Sequence, residues 1–65
     1  MDNFRILKRK EVQFVTGLSR SSIYAKMAIG DFPKTINLST RSVGWLEHEV
    51  QEWLKTRVSV SRRGV

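Results

Sequence analysis

Thr16-Gly17-Leu18-Ser19-Arg20-Ser21-Ser22-Ile23-Tyr24-Ala25-Lys26-Met27-Ala28-Ile29-Gly30 is the stretch that decides the fold. It reads as a tight turn followed by a short helix. Gly17 supplies the bend. Ser19 suits the N-cap, where its side-chain oxygen accepts from the otherwise unpartnered amide of Ser21 or Ser22. Ile23 and Met27 stand four apart and give the helix one apolar line. Gly30 can adopt the left-handed conformation that closes a helix. The side away from that line carries Ser21, Ser22 and Ala25, with Tyr24 and Lys26 at its flanks and Arg20 at its start. Such a face has two readings, a solvated helix surface or a helix whose N-terminal end enters the major groove of DNA.

The residues before it add a second helix. Phe4-Arg5-Ile6-Leu7 alternates apolar and polar, as a short half-buried strand or an extended arm does. Lys8-Arg9-Lys10 is a run of three positive charges, read either as a solvated loop or as phosphate contacts beside the helix that follows. Lys10 to Thr16 is expected to be that helix, with Val12 and Val15 facing the core, Leu18 arriving after the turn, and Phe14 off the line. Helix, glycine turn and helix in so short a span make a helix-turn-helix. The same hairpin of helices also occurs in domains that never meet DNA.

After Gly30, Pro33 forbids further helix and biases Phe32 toward extended geometry. Thr35-Ile36-Asn37-Leu38 and Val43-Gly44-Trp45-Leu46 read as two strands around the polar turn Ser39-Thr40-Arg41-Ser42, a β-hairpin. A hairpin directly after a helix-turn-helix, with Arg41 at its tip, reads as a wing reaching phosphates or the minor groove. Leu46, Val50, Trp53 and Leu54 have the spacing of an amphipathic helix over about residues 47–58, and Val58 extends the same face. Glu47 and Glu49 in its first turn and Lys55 and Arg57 in its last suit the helix dipole. Trp45 and Trp53 are expected to fill the core rather than stack on bases. Residues 59–65 show no periodicity and are expected to be a disordered basic tail, with Arg62-Arg63 adding unspecific phosphate attraction.

Composition narrows the function classes. Sixty-five residues make one small domain with little stability to spare. The chain has no cysteine, hence neither a disulfide framework nor a thiolate metal site, and this fits the cytosol. No apolar run reaches membrane-spanning length, and Met-Asp-Asn-Phe-Arg lacks the apolar core of a signal peptide. A net charge of +6 favours an anionic partner, and nucleic acid is the commonest one. No catalytic set converges. His48 is the single histidine, between Glu47 and Glu49, and reads as a surface residue; the glycines lack phosphate-cradle spacing; Ser19, Ser21 and Ser22 have no base beside them in sequence. Neither an enzyme, a metal site nor a cofactor is expected.

Glu11-Val12, then "TGLSRSSIY" from Thr16 to Tyr24, Gly30-Asp31-Phe32-Pro33-Lys34, "VGWLE" from Val43 to Glu47, Glu49-Val50 and Trp53-Leu54 together resemble the AlpA family of prophage regulators, which is similar in turn to phage excisionases and the DNA-binding part of the MerR family. The resemblance covers roughly residues 5–57. It implies a fold that is mainly α with a small β-hairpin, a winged helix-turn-helix over residues 1–58. It also implies a transcriptional regulator of prophage genes, with an excisionase that bends attachment-site DNA as the alternative. By position, Ser19, Arg20, Ser21, Ser22 and Tyr24 match the family's recognition-helix motif and Arg41 its basic wing residue. Lys26, Lys34 and Thr40 complete the set expected on DNA. Two positions depart from the pattern. Ala25 stands where many members carry a basic residue, and His48 where they often carry a small polar one. The expected partners are double-stranded DNA and further copies of the chain on neighbouring sites, in the cytoplasm on the nucleoid, with no membrane and no small-molecule substrate. An adaptor that binds a protein through exposed Phe14 and Ile29 is the reading from another class.

Overall fold

The computed structural model describes residues 4–63. Its elements are β1 (Ile6–Leu7), α1 (Arg9–Thr16), α2 (Arg20–Ala28), β2 (Ile36–Ser39), β3 (Ser42–Leu46) and α3 (Glu47–Arg63). β3 is the central strand of an antiparallel sheet in the order β1-β3-β2. It pairs Leu46 and Trp45 with Ile6 and Leu7, and Gly44 and Val43 with Ile36 and Asn37. The short arm before α1 is therefore a strand, confined to two residues; Phe4 is exposed.

Trp45 organises the core. It is fully buried among Leu7, Val12, Ile23, Phe32 and Val50, one residue each from β1, α1, α2, the connection after α2 and α3; β2 contributes none. Its indole N–H donates to the Pro33 carbonyl at 3.0 Å, so burying the ring leaves no donor unpaired. Trp53 packs against this cluster, meets Phe32 edge-on at 4.9 Å and donates to the Asp31 carbonyl at 2.7 Å. Two indoles thus fasten the segment that joins α2 to the hairpin. Gly44 permits the central strand to lie under β1: a Cβ there would run into Ile6 Cγ2 and sit 3.1 Å from the Leu7 carbonyl oxygen.

Several expectations shift. Val12 is buried as expected, but Val15 is 40% exposed. The inward line of α1 runs instead from Val12 to half-buried Thr16, whose hydroxyl donates back to the Val12 carbonyl at 2.7 Å. The hairpin turn is tighter than the four polar residues suggest: β2 and β3 run to Ser39 and from Ser42, leaving Thr40 and Arg41 at the tip. A register shift between Asn37 and Ser39 breaks the alternation, and Leu38 ends up exposed. α3 continues five residues past the expected end at residue 58, through Arg63. No Pro or Gly interrupts residues 59–63, elongating an existing helix is cheap, and Arg62 and Arg63 suit its C-terminal end. Residues 59–63 of the expected disordered tail are therefore helical, with exposed side chains; 64 and 65 lie outside the described residues. Val58 does not extend the buried face, since the body of the domain ends beneath Leu54.

Candidate nucleic-acid interface

The turn between α1 and α2 is held by side chains that sequence placed there. Gly17 adopts φ 75°, and its amide donates to the Gln13 carbonyl at 2.9 Å. Leu18 donates its amide to Thr16 Oγ1 at 3.2 Å. Ser19 is extended, and its Oγ accepts from the Ser22 amide at 3.1 Å, which settles which of the two candidate amides it caps. The Ser19 hydroxyl also donates to Ser22 Oγ at 3.0 Å. Ile29 caps α2, and Gly30 follows at φ 77°.

Ile23 is fully buried and Met27 packs against the core, which fixes the rotation of α2. Arg20, Ser21, Tyr24, Ala25 and Ala28 consequently form its exposed face. Tyr24 is not a free side chain. Its ring meets buried Trp45 edge-on at 6.3 Å, and the Arg20 guanidinium lies 5.7 Å from its centroid. The stack ties the exposed face of α2 to the core and holds a cation at its start.

Beside Tyr24 lies a groove that also takes in Lys8, Arg9, Lys10, Arg41, Ser42 and Val43. The N-terminal turn of α1 and the hairpin tip thus stand on either side of it. Lys8 Nζ donates to Ser42 Oγ across the groove. Four of the five carboxylates among the described residues have partners, and the fifth, Glu49, lines a different groove. Glu11 accepts from the Lys8 amide at 2.8 Å, and Asp31, Glu47 and Glu52 pair with Lys26, Arg5 and Lys55.

The nine residues expected on DNA do not form one set. Arg20, Ser21 and Tyr24 share the exposed face of α2, and Thr40 and Arg41 form the exposed hairpin tip. Ser19 and Ser22 are occupied in the cap. Lys26 lies at the other end of α2, half-buried, 3.7 Å from Asp31. Lys34 is apart from these, along a groove that includes His48, Glu49 and Glu52. Lys8, Arg9 and Lys10 are the residues that the expected set omits. The signal for them was the run of three charges; what sequence lacked was the folding of that run against Arg41 and Tyr24. Among the described residues no group of three or more potential metal ligands converges, and no helix is long and apolar enough to cross a membrane.

Residues 5–58 match the family described as prophage CP4-57 regulatory protein (AlpA). The chain belongs to the AlpA family. The match runs from β1 through the first three turns of α3, so it contains every element around the groove. Two curated relatives are similar to the chain. "Uncharacterized protein ORF88" of Enterobacteria phage P4 is 40% identical over 60 residues, covering 92% of this chain and 68% of that protein. "DNA-binding transcriptional activator AlpA" of Escherichia coli (strain K12) is 39% identical over 59 residues, covering 82% of this chain and 84% of that protein. The helical residues 59–63 lie beyond the span that defines this AlpA-family domain.

Proposed function

We propose that the chain is a sequence-specific regulator of transcription that binds double-stranded DNA and acts on prophage or mobile-element genes. The exposed face of α2 lies in the major groove, and the β2–β3 hairpin acts as a wing on the flanking backbone or minor groove. One observation carries the reading. Arg20, Tyr24 and Arg41 form a continuous exposed surface, anchored through Tyr24 on Trp45, between two elements that reach the same side of the domain. The net charge of +6 and the E. coli relative described as a DNA-binding transcriptional activator support it. Arg20 reads a base edge or positions the helix on a phosphate; Ala25 offers an apolar contact such as a thymine methyl.

A domain of this size covers few base pairs, so useful specificity calls for two or more copies on neighbouring sites. A footprint showing one copy bound with nanomolar affinity would contradict that. The test of the function is selection of bound sequences from random duplex DNA at near-physiological salt, followed by anisotropy titration of the winners. A short enriched motif preferred by a hundredfold or more supports the reading, and its genomic positions at promoters or attachment sites separate a regulator from an excisionase. With about four to six phosphate contacts, the slope of log K against log salt is expected near −4 to −5, at roughly −0.9 per phosphate. Weak binding with no motif overturns the reading, and the adaptor reading then takes its place. Phe14, 87% exposed, is the side chain on which that reading stands.

A further inference from the structure

Four cations line the groove between α1 and the hairpin tip, Lys8, Arg9 and Lys10 on one side and Arg41 on the other, and among the described residues no carboxylate lines it with them. Glu11, the acid nearest in sequence, accepts from the Lys8 amide and lines a neighbouring groove with Arg5 and Phe14, into which Lys10 also reaches. Converging like charges without a counter-charge raise the local potential and favour an anion. Arg9 adds a second, independent observation. Its Nε is shielded from solvent and has no acceptor. Such a donor costs free energy wherever it stays unpaired, so a ligand that draws the guanidinium into the groove removes a penalty as it binds. The Lys8–Ser42 bond already holds the two walls together, which limits how far either must move.

The ligand this combination fits is a phosphate group, with several acceptor oxygens and a charge that answers more than one cation. We propose that the groove seats one phosphodiester of the bound duplex. Arg9 and Arg41 grip it from opposite walls, and Lys8 and Lys10 add to the field. The inference rests on the DNA reading above and deepens it. The contact with the flanking backbone then belongs to α1 and the hairpin jointly, as a clamp, rather than to the hairpin alone. A phosphate held this way carries no sequence information; it fixes the position and angle at which α2 meets the bases.

The experiment uses the full chain and a duplex recovered by selection from random DNA. Its linkages are replaced one at a time by uncharged methylphosphonates. Affinity is measured for the wild type, Arg9→Gln and Arg41→Gln. One linkage flanking the motif is expected to cost the wild type about fivefold to tenfold when neutralised, and each variant less than about twofold. Both variants should lower the salt slope by about 1 and leave the preferred sequence unchanged. Arg41 sits at an exposed tip, so its variant remains informative if Arg9→Gln melts early. The clamp is overturned if no linkage loses its effect in the variants, or if both variants keep the wild-type affinity and slope. A wild type that binds no duplex overturns the DNA reading and the clamp together. A wild type that binds with a motif but without the coupling overturns the clamp alone.

Discussion

Two grooves flank the hairpin, and each holds a basic residue that sequence marks for DNA, Arg41 in one and Lys34 in the other. In the first, Lys8, Arg9, Lys10 and Arg41 converge around Tyr24, with no carboxylate among the described residues that line it. In the second, Lys34 shares the lining with His48, Glu49 and Glu52. Lys26, at the end of α2, is paired with Asp31. The net charge of +6 is thus not a uniform coat. It gathers where α1, α2 and the hairpin tip meet and again along the end of α3, at Arg57, Arg62 and Arg63, while acids in the first half of α3 and in the connection after α2 offset it between them. A basic residue's place in the fold, more than its type, decides whether it attracts an anion.

The concentration around Tyr24 depends on a single support, so the largest expected effect comes from removing it. Trp45→Ala takes away the ring beneath Tyr24, opens a cavity at the centre of the core and leaves the Pro33 carbonyl without its donor. The cost is expected to be about 3–5 kcal/mol, enough to unfold much of a domain this small. Thermal unfolding followed by circular dichroism measures it. A melting temperature near that of the wild type would show that the basic groove does not depend on the core for its shape.

Arg20→Ala is next. The guanidinium stacks on Tyr24 and lies at the exposed start of α2. Its loss should leave stability within about 0.5 kcal/mol. If Arg20 reads a base edge, affinity falls by about 1–3 kcal/mol and preference relaxes at one position of the motif. A loss that is equal across all sequences would move Arg20 from reading to positioning.

Ser19→Ala probes the same helix from within. The cap accepts from the Ser22 amide, and its removal is expected to destabilise the chain by about 1 kcal/mol in denaturant titrations. DNA affinity measured where the variant remains folded should change far less than in Arg20→Ala. A larger loss of affinity than of stability would mean that the Ser19 hydroxyl also reaches DNA.

These contrasts follow how the fold was written in the chain. Ser19, Gly17, Gly30 and the Ile23–Met27 line mark α2 because capping, left-handed turns and helical spacing are local, set within a few residues of one another. Trp45 and Trp53 read as core for the same reason that large rings need burial. Other features depend on distant neighbours. Val15 and Thr16 compete for the inward side of α1, and the winner is set by how β1 and α2 lie beside it. Gly44 looks like an ordinary strand glycine until Ile6 arrives against it, 38 residues away in sequence. Lys8-Arg9-Lys10 is ambiguous for the same reason. A charge run is a loop or a contact according to what stands opposite, and Arg41 stands opposite only after the hairpin folds back on α1.

The smallest expected effect separates the two grooves directly. Arg41→Gln and Lys34→Gln each remove one exposed positive charge and leave a side chain of similar reach. If net charge alone drew the chain to DNA, the two would weaken binding alike. Under the proposed arrangement, Arg41→Gln costs about fivefold, roughly the same for every sequence, and lowers the salt slope by about 1. Lys34→Gln costs less than about twofold and leaves the slope near its wild-type value, because Glu49, which pairs with no other cation among the described residues, offsets the field around Lys34. Anisotropy titrations at four or five salt concentrations resolve a difference of one unit in slope. Equal losses would erase the distinction between the grooves and return the charge to a general attraction. A larger loss at Lys34 would turn the domain over and place the acidic groove toward the duplex, which its carboxylates oppose.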